Sequence, residues 1–117
     1  MAGVSVEMSG APQNTNTIEL NSIEDIRAAV APVFKKHNIE GAYIIGSFAR
    51  GEQTDKSDID FVFTTDDFYF IELWDDLETK LGRKTDLLNE DTLRKSKSPI
   101  AQRVFEQYMK ERVYIHV

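Results

Sequence analysis

One stretch of the chain places a small-residue turn a fixed distance ahead of two acidic residues. Ten residues separate the Gly46–Ser47 pair from Asp58, and Asp58 and Asp60 open a strongly apolar run, residues 59–63. Because side chains alternate between the two faces of a strand, both aspartates are expected on one face, with β-carbons ~6.6 Å apart. The pattern therefore predicts a strand with one acidic face and one apolar face.

A third aspartate opens a second apolar run, Asp86 to Leu88. If this strand lies beside the first, three carboxylates converge, and two charges ~5 Å apart repel by roughly 3 kcal/mol at an effective dielectric of ~20. Mg²⁺ reverses the sign of that interaction and usually shares its ligand shell with substrate phosphates. The Gly46–Ser47 turn offers backbone N–H groups and a hydroxyl that can donate to phosphate. Together these features indicate nucleotidyl transfer.

The wider sequence around these residues carries a family resemblance. The segments IIGSFARGE, residues 44–52, and SDIDF, residues 57–61, resemble the signature of the DNA polymerase β-like nucleotidyltransferase superfamily. They are similar to its minimal branch, small stand-alone proteins usually encoded beside a HEPN-domain partner in toxin–antitoxin pairs. The likeness covers roughly residues 20–117.

The resemblance implies a role for each residue of the motif. Gly46 and Ser47 are expected to hold the nucleotide phosphates, and Arg50 is a further candidate for phosphate contact. Asp58 and Asp60 are expected to ligate magnesium. Asp86 matches the third carboxylate of the family, as a metal ligand or as the general base.

The expected function is Mg²⁺-dependent transfer of AMP from ATP to a hydroxyl acceptor. The resemblance suggests that the acceptor is a tyrosine of a HEPN toxin, which the chain silences as its antitoxin. Two alternatives remain open at this point. The chain could be a non-catalytic antitoxin that blocks its partner by occlusion, or an antibiotic-type adenylyltransferase that modifies a small molecule. A homo-oligomer is also compatible with the sequence.

The order of apolar patterns predicts an α+β fold of the polymerase β-like type, with a small mixed β-sheet packed against helices on one side. Residues 1–17, rich in Ser, Asn, Thr and Gly, are predicted to be a mobile tail, and residues 18–117 to be the nucleotidyltransferase domain. Expected helices begin at Ser22, near Glu90 and at Ser98. A further helix ends at Gly82, and its apolar positions are predicted to face the core: Phe70, Ile71, Trp74, Leu77 and Leu81. Its acidic residues could attract a basic partner.

Composition narrows the classes of partner and compartment. The net charge of −6 disfavours stable nucleic-acid binding, which depends on Lys and Arg contacts to phosphate. The chain contains no cysteine, no apolar run of the ~20 residues that a membrane span requires, and no secretory signal pattern. We therefore expect a cytoplasmic protein that does not bind membranes.

Overall fold

The structure is a computed structural model that describes residues 19–117. The predicted tail, residues 1–17, lies outside the described residues. The elements of the described part follow in this order: α1 (Ile23–Lys36), β1 (Gly41–Ile45), α2 (Ser47–Arg50), β2 (Ile59–Phe63), α3 (Phe70–Leu81), β3 (Thr85–Asn89), α4 (Glu90–Lys95), α5 (Pro99–Glu111) and β4 (Val113–His116).

The strands form one mixed sheet in the order β3–β2–β1–β4. β1 lies between β2 and β4 and is antiparallel to both, whereas β2 and β3 are parallel. A parallel pair needs a crossover connection, which α3 supplies between β2 and β3. The first residues of β2 and β3 therefore meet at the same end of the sheet. The mixed α+β fold predicted from the sequence is confirmed.

Helices cover both faces of the sheet. On one face, Ile44 and Phe61 belong to a cluster that includes buried residues of α1 and α3. On the other face, Val62 packs with Leu93 of α4 and Tyr108 of α5. The expectation of helices on one side only was wrong, because β2 has buried apolar residues on both faces and each face needs a cover.

Local capping signals define several helix ends as predicted. The hydroxyl of Ser22 accepts the backbone N–H of Asp25 at 3.2 Å at the start of α1. Ser98 caps α5, with Pro99 at the first helical position. Gly82 ends α3 in the left-handed region, with φ of 67°. The serines accept backbone N–H groups that have no partner within the helix, proline has no N–H to leave unpaired, and glycine adopts the left-handed conformation that ends a helix. These properties explain why these residues mark helix boundaries.

Helix α3 buries only part of the predicted stripe: Leu77 and Leu81 are buried as predicted, whereas Phe70, Ile71 and Trp74 are not. Leu73, Leu77 and Leu81, spaced four residues apart, are fully buried. The other large apolar residues of the helix are exposed: Phe70, Ile71 and Trp74. Two overlapping apolar stripes were present in this segment, and the three leucines fill the core beneath the helix.

Within residues 19–117, no helix combines the length and the apolar character that crossing a membrane requires.

Candidate active site

Two of the predicted carboxylates lie side by side at one end of the sheet. Asp60 and Asp86 are the second residues of β2 and β3, and the parallel register pairs them directly. Adjacent strands are ~4.8 Å apart. The neighbouring Ile59 and Phe61 point into the core beneath α1 and α3, so the two aspartates point to the α4/α5 side. Asp60 is partly buried there and Asp86 is exposed.

Asp60 carries the clearest electrostatic signature of the site. The pKa of its carboxyl is raised from 3.8 to about 6, first by burial and then by a hydrogen bond with Asp86 and the negative charges of Asp86 and Asp58. A hydrogen bond between two carboxyl groups requires a proton on one of them. Near neutral pH that proton is largely lost, so the pair repels unless a cation lies between the two groups.

Gly46 allows the chain to turn directly against this pair. It follows Ile45, the register partner of Asp60, and has φ of 84° and ψ of −152°, a conformation that is essentially restricted to glycine. A β-carbon at this position would lie 2.7 Å from Oδ2 of Asp60. The backbone angle therefore requires glycine, and a β-carbon at this position would also displace the carboxylate of Asp60.

The other two predicted nucleotide-binding residues lie in the same turn. Ser47 begins α2, and its carbonyl accepts the N–H of Glu52 at 2.8 Å. Arg50 ends α2 and lies close enough to Asp60 to lower its pKa. Its guanidinium is already paired: Nε donates to Glu52 at 2.9 Å and Nη1 donates to Glu111 at 3.0 Å.

Glu111 is a residue of the site that the sequence did not reveal. Its Oε1 accepts the backbone N–H of Gly46 at 3.2 Å and the Nη1 of Arg50 at 3.0 Å. A carboxylate oxygen thus takes up donors that a phosphate oxygen would also use. Glu111 lies 65 residues from Gly46 in the chain, and only the packing of α5 brings it to the turn, so no local motif could indicate it.

Asp58 lies at the edge of the site. It is exposed and precedes the first residue of β2, so it stands beside the pair and does not belong to the strand. Within residues 19–117, no three His, Cys, Asp or Glu side chains form a metal-binding group. The predicted trio of carboxylates is therefore present as a close pair, Asp60 and Asp86, with Asp58 nearby.

The donor set nevertheless fits magnesium. In nucleotide sites Mg²⁺ commonly uses only one or two carboxylates and completes its shell with substrate phosphates and water. The adjacent oxygens of Asp60 and Asp86 are hard ligands of this kind, and their mutual repulsion favours a bound cation. The amide of Gly46 and the start of α2 lie beside them, where phosphates could share the ion.

A mixed sheet whose adjacent strands present a carboxylate pair against a glycine–serine turn defines a nucleotidyltransferase. The comparison with protein families leads to the same class: residues 28–110 match the family described as "Polymerase beta, Nucleotidyltransferase". This match covers more than half of the chain. The chain belongs to this polymerase β-type nucleotidyltransferase family, as its motif predicted.

Two relatives from Methanocaldococcus jannaschii have similar sequences. "Putative protein adenylyltransferase MJ0128" is 37% identical over 93 residues, which are 75% of this chain and 92% of the relative. "Putative protein adenylyltransferase MJ0435" is 32% identical over 76 residues, which are 62% of this chain and 82% of the relative.

Two solved structures share the fold. One, described as "Structure of putative minimal nucleotidyltransferase", is 26% identical with a TM-score of 0.53 and covers 78% of this chain and 90% of its own. The other, "Crystal structure of the toxin-antitoxin with AMP-PNP", is 21% identical with a TM-score of 0.55 and covers 76% of this chain and 71% of its own. The prediction of a minimal nucleotidyltransferase fold is confirmed.

Proposed function

We propose that this chain transfers AMP from ATP to a hydroxyl group of a partner protein. The observation that carries the proposal is the direct pairing of Asp60 with Asp86 beside the Gly46–Ser47 turn. The pair offers ligands for a nucleotide-bound cation, and the turn offers donors for the phosphates. The names of the relatives from Methanocaldococcus jannaschii support a protein acceptor and an adenylyl group.

Asp60 and Asp86 would hold Mg²⁺, with Asp58 in reach as a further ligand. When bound, the ion supplies positive charge that offsets the charge of the triphosphate. Asp60 fits the ligand role best, because burial and the neighbouring carboxylates raise its pKa and make its negative charge unfavourable until a cation binds. The backbone of Gly46 and the hydroxyl of Ser47 would orient the β- and γ-phosphates.

In the transfer step, the acceptor oxygen forms a bond to the α-phosphorus. The bond between that phosphorus and the oxygen bridging to the β-phosphate breaks, and pyrophosphate leaves. Asp86 is the exposed member of the pair, so it can reach the incoming hydroxyl and accept its proton. Arg50, at the end of α2, is placed to stabilise negative charge on the leaving phosphates once its own carboxylate partners release it.

The acceptor we propose is a tyrosine of a HEPN-domain toxin encoded beside this chain, which makes the chain a cytoplasmic antitoxin. Two observations support this acceptor: the motif is similar to that of the minimal branch, and a toxin–antitoxin structure shares the fold. AMP on such a tyrosine would add negative charge and bulk to the toxin and so impair its activity.

The test mixes the purified chain, the HEPN-domain protein encoded beside its gene and Mg-ATP labelled at the α-phosphate. We expect the partner to gain mass in whole AMP units, and Asp60→Asn to abolish this gain. Asp55→Asn, an exposed carboxylate in the preceding loop, is the matched control and should transfer normally. An unmodified partner in a stable complex would instead support inhibition by occlusion. Label appearing only on a small hydroxyl compound would support the antibiotic-type alternative.

A further inference from the structure

The first turn of α3 and the residue before it expose an unusual group of large apolar side chains. Tyr69 is 76% exposed and Ile71 is 63% exposed, and Phe70 and Trp74 beside them are also exposed. The rings of Phe70 and Trp74 stack with centroids 6.3 Å apart, so these two side chains form an aromatic patch, and Tyr69 and Ile71 flank Phe70 in the chain. We call these four residues the α3 surface. Contiguous apolar patches of this kind mark interaction sites.

A small apolar cavity opens beside the α3 surface. It has a volume of about 140 Å³, and Phe63, Phe68, Phe70, Leu87 and Leu88 line it. Pockets for nucleotides or drug-sized ligands measure roughly 300–1,000 Å³. This cavity is too small for such ligands but has room for an apolar side chain. Its size therefore favours a protein as the occupant.

The charges around the α3 surface are mainly negative, with Lys36 of α1 as a cation that lines a pocket with Asp66, Asp67 and Tyr69. Residues 57–79 contain no Lys or Arg. Four exposed carboxylates of this segment form no ion pair within the described residues: Asp66, Asp67, Glu72 and Asp75. By contrast, Asp76 pairs with Lys36 of α1. An apolar patch with an acidic border is complementary to an apolar protein surface bordered by Lys and Arg.

Trp74 of the α3 surface contacts the backbone of β3, the edge strand that carries Asp86. The indole Nε1 of Trp74 donates to the carbonyl of Thr85 at 3.1 Å, and Glu78 accepts the N–H of Thr85 at 2.8 Å. Thr85 immediately precedes Asp86 in β3. Asp86 points to the opposite, α4/α5 side of the sheet, but β3 is an edge strand, so a protein bound on the α3 surface can extend around this edge to reach Asp86.

We propose that the α3 surface docks the protein acceptor, through an apolar side chain that enters the cavity and basic residues that face the acidic border. This inference rests on the proposed function, because it assigns the docking site of the same reaction. The contact would hold the acceptor at the β3 edge, from which its hydroxyl can reach Asp86 on the other side of the sheet, so that binding on α3 and transfer at the carboxylate pair act on one protein.

The apolar part is tested with Ile71→Ser and the double variant Tyr69→Ser/Ile71→Ser. The probe is the HEPN-domain protein encoded beside this chain's gene. We expect Ile71→Ser to raise the concentration of that protein that half-saturates AMP transfer about tenfold, and the double variant to raise it more. The dissociation constant of Mg-ATP, measured by calorimetry, should stay unchanged in both variants. Ile100→Ser is the matched control, because Ile100 is 67% exposed on α5 and should leave both constants unchanged.

The charge part is tested with Glu72→Lys, with Glu106→Lys as the control on an exposed position of α5. We expect Glu72→Lys to weaken binding of the same partner about fivefold at low salt, and the difference to shrink as the salt concentration rises. Equal effects of the two lysine variants would mean that only net charge matters and would overturn the acidic border as a recognition element.

The outcomes separate this inference from the proposed function. If the wild-type chain modifies the partner and the serine variants do so equally well, the docking surface is overturned while the transfer reaction stands. If the wild-type chain binds the partner without modifying it and the serine variants lose binding, the docking surface stands and the transfer reaction falls. If the wild-type chain neither binds nor modifies the partner, both are overturned. A wild-type dimer in sedimentation that Ile71→Ser converts to a monomer would assign the surface to a second copy and overturn the inference.

Discussion

Replacing Asp60 with asparagine should make the folded protein more stable at neutral pH while it removes AMP transfer. The reason is the raised pKa of Asp60, which shows that the charged carboxylate is unfavourable in the folded protein. Asparagine keeps the shape of the side chain and removes the charge that burial and Asp86 oppose. In the proposed reaction, the same carboxylate holds the nucleotide-bound cation.

The size of the effect follows from the pKa. A shift from 3.8 to about 6 corresponds to roughly 3 kcal/mol at 1.36 kcal/mol per pKa unit. Because Asp60 is only partly buried, solvent screening reduces this to about 1–2 kcal/mol. For a domain of this size, each kcal/mol of added stability raises the melting temperature by about 4–8 °C, so Asp60→Asn should melt at a measurably higher temperature than the wild type.

The sign of the pH dependence is also determined. Below about pH 4 the group is protonated in both the folded and the unfolded chain and contributes no difference. Between about pH 4 and pH 6 the unfolded chain loses the proton while the folded chain keeps it, so the wild-type free energy of unfolding falls as pH rises. Above about pH 6 the full penalty is present. The advantage of Asp60→Asn should therefore be complete at pH 7.5 and absent near pH 4.

The assay is urea unfolding of the wild type and Asp60→Asn across this pH range, with EDTA to remove divalent cations. Asp58→Asn is the control, because Asp58 is exposed and should change stability much less. A variant that is less stable than the wild type at pH 7.5 would refute the reasoning. So would a stability gain that stays constant from pH 4 to pH 7.5.

Three further substitutions test other parts of the site and core. Gly46→Ala should lower the free energy of unfolding by about 2 kcal/mol and abolish transfer. The reason is that Gly46 has φ of 84° and a β-carbon there would meet Asp60 at 2.7 Å. The control, Gly51→Ala, has φ of 72° but open space around it, so it should lose only about 1 kcal/mol in the same urea assay. Glu111→Gln should tighten Mg-ATP binding about fivefold in calorimetry. Glutamine keeps an acceptor for the amide of Gly46 and removes ~1 kcal/mol of repulsion between the carboxylate and the triphosphate. Weaker binding would instead show that the carboxylate positions the turn. Tyr108→Phe should cost about 2 kcal/mol in unfolding free energy, because the buried hydroxyl donates to a carboxylate on α4 at 2.5 Å, and unchanged stability would contradict that contact.

Local sequence signals determined much of the fold and the motif of the site. Caps such as Ser22 and Ser98 bind the free N–H groups of their own helices, so their effect is readable without tertiary contacts. The turn at Gly46 is similarly local, because its conformation is accessible only to glycine. The alternation in residues 58–61 indicated that Ile59 and Phe61 share a buried face opposite Asp60, whereas the burial of Val62 on the other face came from packing against α4 and α5. These features depend on neighbours within a few residues, which explains why they could be predicted.

Only the tertiary structure decided how distant segments combine. The parallel register places Asp86 against Asp60, and the packing of α5 brings Glu111 to the amide of Gly46. The buried face of α3 also depended on packing. Its two overlapping apolar stripes both have helical spacing, and only the packing of Leu73 into the core determines which stripe is buried. Periodicity within one segment specifies which side chains share a face. Which face is buried, and which residues meet across the sheet, depends on the shapes and charges of segments far away in the chain.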